Sequence, residues 1–131
     1  CTRLSQVTFP AGLNRICDSA FRSTGLERVT FENPSVILES GGVFAECDSL
    51  RRITLPSNLS EIPGYLFYGC AVLEEIIIPE GVTTICHGAF VKCKNLNRVV
   101  LPSTLELIGE FAFADCMNLE EINTTKIWQR W

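Results

Sequence analysis

A cysteine beside the chain's single histidine, Cys86 and His87, is the residue pair here with the most reactive potential, since a thiolate attacks carbonyl carbon and an imidazole can take the thiol proton. Neighbours in a chain rarely bring these two side chains into hydrogen-bonding reach, and no oxyanion-forming motif accompanies them. No GxxxxGK(S/T), GxGxxG, GxSxG or HExxH occurs anywhere. The sequence therefore predicts no enzyme and no cofactor, and His87 reads as a residue of an exposed coil. Seven cysteines in 131 residues raise two further chemistries, a disulfide framework and a zinc site. Their spacing points elsewhere. Cys47, Cys70, Cys93 and Cys116 recur at one constant interval, Cys1 lies two such intervals before Cys47, and Thr24 fills the skipped place. Cys17 and Cys86 lie three intervals apart and share a second column with Pro63 and Gly109. No CxxC occurs, and thiols stacked in one column cannot easily surround a tetrahedral ion, so no metal site is expected. Stacked thiols approach a bridgeable separation but point in parallel. The expected reading is a ladder of small, buried, reduced side chains, with inter-coil disulfides as the competing one.

The elements that must hold these columns follow from the same interval, which defines a repeat of about 23 residues. Phe21, Phe44, Phe67, Phe90 and Phe113 keep it, as do Leu50, Leu73, Leu96 and Leu119, within LxxIxLPxxLxxIxxxAFxxCxx. In LxxIxLP the apolar residues alternate and Val, Ile and Thr dominate, which predicts a strand with one buried face. Pro56, Pro79 and Pro102 then remove a donor and end it. The AFxxCxxL spacing is compatible with a helical or 3₁₀ turn. One strand and one turn per unit predict a right-handed coil, and stacked coils pair their strands in parallel. The chain length divided by the period predicts about six coils in one domain over residues 1–131. The coil over residues 24–43 departs from the pattern. One residue is missing between Phe21 and Leu26, one is added between Phe31 and Val36, Glu39 stands where other copies have Ile, and Gly41–Gly42 supply backbone freedom to absorb the slip. In the tail, Trp128 and Trp131 fall on inward columns and are expected to cap the last coil over residues 126–131.

Composition removes whole classes of partner. At 47% hydrophobic and 20% charged the chain is no disordered tail. With 11 Lys and Arg against 15 Asp and Glu, a net charge of -4 offers no field for nucleic acid or anionic lipid. No apolar stretch is long enough for a membrane helix, so no membrane insertion is expected. Starting at Cys1 without Met or a leader, the sequence reads as a fragment or processed form; a lipid-bearing Cys1 is a lesser alternative, since the repeat already accounts for it. Asn58-Leu59-Ser60 and Asn123-Thr124-Thr125 fit the glycosylation sequon, at a frequency near chance.

Alternation also selects the residues that leave the core. One outward strand column reads Gln6, Arg28, Arg52, Glu75, Arg98 and Glu121, and the next Thr8, Thr30, Thr54, Ile77, Val100 and Asn123. An aliphatic pair, Ile77 and Val100, flanked by Arg28, Arg52, Glu75 and Arg98, has the makeup of a modest protein-binding patch with an apolar centre and a polar rim. The bland alternative is that Ile77 and Val100 are merely good strand residues.

The IxLPxx(V/L)xxIxxxAFxxCxxL pattern resembles the BspA-type leucine-rich repeat of bacterial and protozoan surface proteins, over nearly the whole chain. The resemblance implies a curved α/β solenoid with a parallel sheet on its concave side and short helical or 3₁₀ turns on its convex side. It also implies a cell-surface or secreted location and an adhesin-like, non-catalytic module that binds a protein of the host or of a cell surface. The alternative is a structural spacer, or a segment that self-associates through open coil ends.

Overall fold

The computed structural model of the chain describes residues 5–122. Each LxxIxLP segment forms a short strand: β1 (Gln6–Phe9), β3 (Arg28–Phe31), β5 (Arg52–Ile53), β7 (Glu75–Ile77), β9 (Arg98–Val100) and β11 (Glu121–Ile122). The aliphatic pair that follows each proline contributes a second strand per coil: β2 (Arg15–Ile16), β4 (Ile37–Leu38), β6 (Glu61–Ile62), β8 (Thr84–Ile85) and β10 (Leu107–Ile108). A full coil separates each strand from its neighbour, which excludes hairpins and makes every pairing parallel. The first ladder contains the sheets β1-β3-β5 and β7-β9-β11, and the second contains β2-β4 and β6-β8-β10. This second ladder has no counterpart in the sequence reading, which assigned one strand per repeat.

Between the ladders lies the core. Leu26, Leu50, Leu73 and Leu96 are fully buried, as are Val29, Ile76 and Val99 of the first ladder. The Phe column runs through it as a continuous stack. Ring centroids are 6.1 Å apart from Phe21 to Phe44, 6.2 Å from Phe44 to Phe67, 5.3 Å from Phe67 to Phe90 and 5.1 Å from Phe90 to Phe113. Aromatic pairs at such distances contribute about 0.5–1.5 kcal/mol beyond burial.

No helix occurs among the described residues, so the expected α/β class and helical or 3₁₀ turns give way to strands and chained turns. The amides explain why. In the coil around Phe90, Ala89, Val91 and Cys93 donate within their own turn, to Cys86, Gly88 and Phe90. Gly88, Phe90 and Lys92 donate instead to Glu110, Ala112 and Ala114 of the next coil. A helix would turn every amide along its own axis; here every second one stitches coil to coil. The alternation needs left-handed backbone at two places per coil, such as Tyr65 (φ 60) and Gly69 (φ 73), or Gly88 (φ 66) and Lys92 (φ 63). Gly88 is required for space as well, because a Cβ there would lie 2.6 Å from the Tyr65 ring.

Registers locate the irregular coil. Taking the step from Glu75 to its partner Arg98 as regular, the step from Gln6 to Arg28 is one residue shorter and that from Arg28 to Arg52 is one residue longer. The residue missing between Phe21 and Leu26 accounts for the short step. The one added between Phe31 and Val36 is compensated at once, because Leu38 pairs with Ile16 and is buried in the Ile column. Glu39, expected to stand in that column, lies just after it and bonds Arg15 instead. The net extra residue falls between Leu38 and Phe44, where Gly41 (φ 102) and Gly42 (φ 82) take it up. The sixth coil is represented only by β11, so the described residues complete fewer than the six coils expected. Cys1, Asn123 and the expected tryptophan cap at 126–131 lie outside them.

Candidate protein-interaction surface

The thiol column is structural. Sγ of Cys47, Cys70, Cys93 and Cys116 donates to the carbonyl of Phe21, Phe44, Phe67 and Phe90, each in the preceding coil, at 3.1, 3.2, 3.2 and 3.1 Å. Burial pushes the Cys70 thiol well above the ordinary range. Cys116, expected among the most protected, is only half-buried. Thr24 in the same column makes a different bond, donating its hydroxyl to the Phe21 carbonyl of its own coil at 2.9 Å, and its hydroxyl lies 3.4 Å from the Cys47 thiol. All six described cysteines carry free thiols.

Cys86 and His87 do not form a nucleophilic pair. Burial raises the Cys86 thiol, and Glu61 adds to the shift through its charge and its hydrogen bond to the thiol, the opposite of what activation requires. The His87 ring packs edge-on against Tyr65 at 5.4 Å and Phe111 at 5.8 Å. No group of three His, Cys, Asp or Glu suited to a metal ion occurs among the described residues. Nor is any helix among them long and apolar enough to cross a membrane.

The expected patch residues do share the outward face of the first ladder, in three register pairs. Arg28 pairs with Arg52, Glu75 with Arg98, and Ile77 with Val100. Period-two alternation puts them there: Val29 and Ile76 beside them are buried, whereas Arg28, Arg52, Glu75 and Ile77 are exposed. Ile77, the last residue of β7, is 58% exposed. Val100 and Arg98 are half-buried, so the apolar centre rests mainly on Ile77. The Arg98 guanidinium donates to the Glu75 carboxylate. On the flank, the hydroxyls of Thr8 and Thr30 share a hydrogen bond of 2.9 Å.

The structure also divides this patch. Arg51 and Arg52 both donate their amides to the Glu27 carbonyl, and Asn97 and Arg98 both donate to that of Glu74. The corresponding amides of Glu74 and Glu75 make no bond to Arg51, and β5 and β7 close separate sheets. Behind the opening Ile53 is only half-buried, while its column neighbours Val29 and Ile76 are each 1% exposed. A cleft of about 680 Å³ lies over it, lined by Arg51, Arg52, Thr54, Glu74, Glu75 and Ile77 among others. Arg51 and Glu74 escaped the sequence reading because they precede the strands whose alternation was used.

Known proteins share this architecture. The BspA type Leucine rich repeat region matches in six copies over residues 1–42 and 40–130. A crystal structure of a leucine rich cell surface protein from Faecalibacterium prausnitzii superposes with a TM-score of 0.88 at 34% identity, covering 97% of this chain and 34% of that one. A T. pallidum leucine rich repeat protein gives 0.83 at 33% identity, over 91% of this chain and 58% of that one. A leucine-rich repeat protein from Bacteroides ovatus shares the fold, with a TM-score of 0.70 at 23% identity over 92% of this chain and 37% of that one. The chain thus spans less than two thirds of each of these structures. No curated protein sequence matches it. With the repeat matched along nearly its whole length and the coil geometry shared, the chain belongs to the BspA-type leucine-rich repeat family.

Proposed function

We propose that this chain is a non-catalytic protein-binding segment of a cell-surface or secreted protein, and that it engages its partner through the outward face of the first ladder. The observation that carries this reading is Ile77, a large aliphatic side chain 58% exposed at the end of a paired strand, with charged residues nearby on the same face. Strand propensity and the pairing with Val100 give such a side chain only a modest gain in water, whereas burial against a partner removes apolar area worth about 25 cal/mol per Å². The surface location rests on the F. prausnitzii relative, which is described as a cell surface protein. An adhesin-like role is part of this proposal, with the family resemblance as its support. Arg28, Arg52, Glu75 and Arg98 form the rim that orients the partner.

The test compares proteins retained from the organism's natural surroundings by immobilised wild type and by the Ile77→Asp/Val100→Asp double variant. Proteins held by the wild type and released by the variant, with the variant's melting unchanged, support the reading. Equal retention by both removes this face from consideration and favours a structural spacer or a self-associating segment.

A further inference from the structure

We infer that the partner presents an extended protein segment with an acidic side chain, and that Arg28 and Arg52 receive it. This rests on the reading of the first ladder as the binding face and specifies the chemistry of what binds there. Arg28 and Arg52 are register neighbours on adjacent parallel strands, so their side chains leave the same face about 4.8 Å apart. Both are exposed, and neither forms an ion pair among the described residues. The next pair along the face, Glu75 and Arg98, is neutralised internally. Two like charges side by side on a sheet repel, and a carboxylate bridging them would relieve the repulsion while accepting hydrogen bonds from both guanidinium groups.

The rest of the face sets the segment's spacing. From the Arg28–Arg52 pair to the Ile77–Val100 pair is two strand steps across, one of them the open step between β5 and β7, and two residues along, about 12–14 Å, which an extended chain covers in about four residues with both side chains on one face. The residue midway between them would face the cleft between β5 and β7. There the Glu74 and Glu75 amides and the Arg51 carbonyl lack the mutual bonds made at equivalent places. A polar side chain that both donates and accepts suits that point. A whole added strand does not, because Cα atoms of β5 and β7 come within 8 Å, while inserting a strand needs about 9.6 Å. A polyanion is also disfavoured, since Glu27 and Glu74 flank the arginines and the chain carries a net charge of -4.

The test uses the blocked peptide acetyl-Thr-Asp-Thr-Asn-Thr-Ile-Thr-amide, followed by NMR on the isotope-labelled chain. Shifts are expected at the guanidinium signals of Arg28 and Arg52 and at the amides of Glu75 and Ile77. Changing the peptide's Asp to Asn, or making the Arg28→Gln/Arg52→Gln variant, should weaken binding about fivefold or more, and added salt should weaken the acidic peptide alone. Equal binding of the Asp and Asn peptides, no shifts at these residues, or a heparin fragment binding there more tightly than the peptide would each overturn the inference. The glutamine variant removes only exposed charges, and an unchanged melt verifies that it folds. Should the arginine variant keep every natural partner that the Ile77→Asp/Val100→Asp variant loses, the acidic-segment inference fails while the binding face stands.

Discussion

The thiol of Cys70 donates to the carbonyl of Phe44, in the preceding coil, at 3.2 Å. The same carbonyl accepts the Cys47 amide of its own coil at 3.3 Å, so both of its lone pairs are used. A buried carbonyl in each coil is thereby satisfied partly from within the coil and partly by the coil above. The cysteine column is thus a rung system as well as small, soft packing.

Removing one rung measures its worth. Cys70→Ala loses a buried sulfur and leaves the Phe44 carbonyl one donor short, at an expected cost of about 1–2 kcal/mol in urea melts. Cys116→Ala should cost less, because Cys116 is only half-buried. Equal losses at the two sites would show that burial adds little to the thiol bond that both make.

The phenylalanine stack should dominate stability. Phe67 is fully buried between the rings of Phe44 and Phe90, and coils joined by backbone hydrogen bonds through the turns and along at least one ladder at each contact cannot readily collapse into the space it would leave. Phe67→Ala or Phe90→Ala is expected to cost about 3–5 kcal/mol by denaturant melts. A loss below about 1 kcal/mol would contradict this packing.

Thiol chemistry should sort by depth. A thiol-specific reagent is expected to label Cys17 first and Cys86 more slowly, and to reach Cys70 and Cys93 only on unfolding. The Cys70 thiol titrates above the ordinary value of 9.0, chiefly because burial disfavours the thiolate. Above that value the unfolded chain has shed protons that the native state retains. The cysteine contribution to stability is therefore fully present at neutral pH and is lost as the pH rises through the raised range. Melts across alkaline pH should show this decline, and Cys70→Ala should make it shallower.

Gly88→Ala tests the alternating turn. The new methyl meets the Tyr65 ring at 2.6 Å on a backbone with φ 66, so a loss of about 1–2 kcal/mol is expected. With Tyr65→Ala already present, the same change should cost less, leaving only the backbone component. A double-mutant cycle with no coupling would show that the ring moves aside freely.

Much of this architecture was legible because the period is local. Phe, Leu and Cys each recur at the same fixed interval, and inward and outward positions alternate within each LxxIxLP, so the columns of Arg28, Ile77 and the thiols are set by the sequence pattern. The irregular coil could be placed only approximately: the missing residue was correct, but Leu38 and not Glu39 fills the Ile column, because burial decides the register and Leu loses more in water. The turn segment looked helical since a spacing of three suits both a helix and a chain of β-turns. What separates them is where alternate amides find acceptors, and Gly88, Phe90 and Lys92 find theirs in a coil distant in sequence. The opening between β5 and β7 had no local signature at all. Leu50–Pro56 and Leu73–Pro79 place their inward apolar residues at the same positions, and whether two such strands bond depends on how coils a full repeat apart settle on the shared core. Sequence by itself determined the columns and the face each residue takes, because a strand's alternation needs only its own backbone. Tertiary structure alone decided which columns stay in hydrogen-bonding reach and where the face is split, because that distance is set by packing between coils.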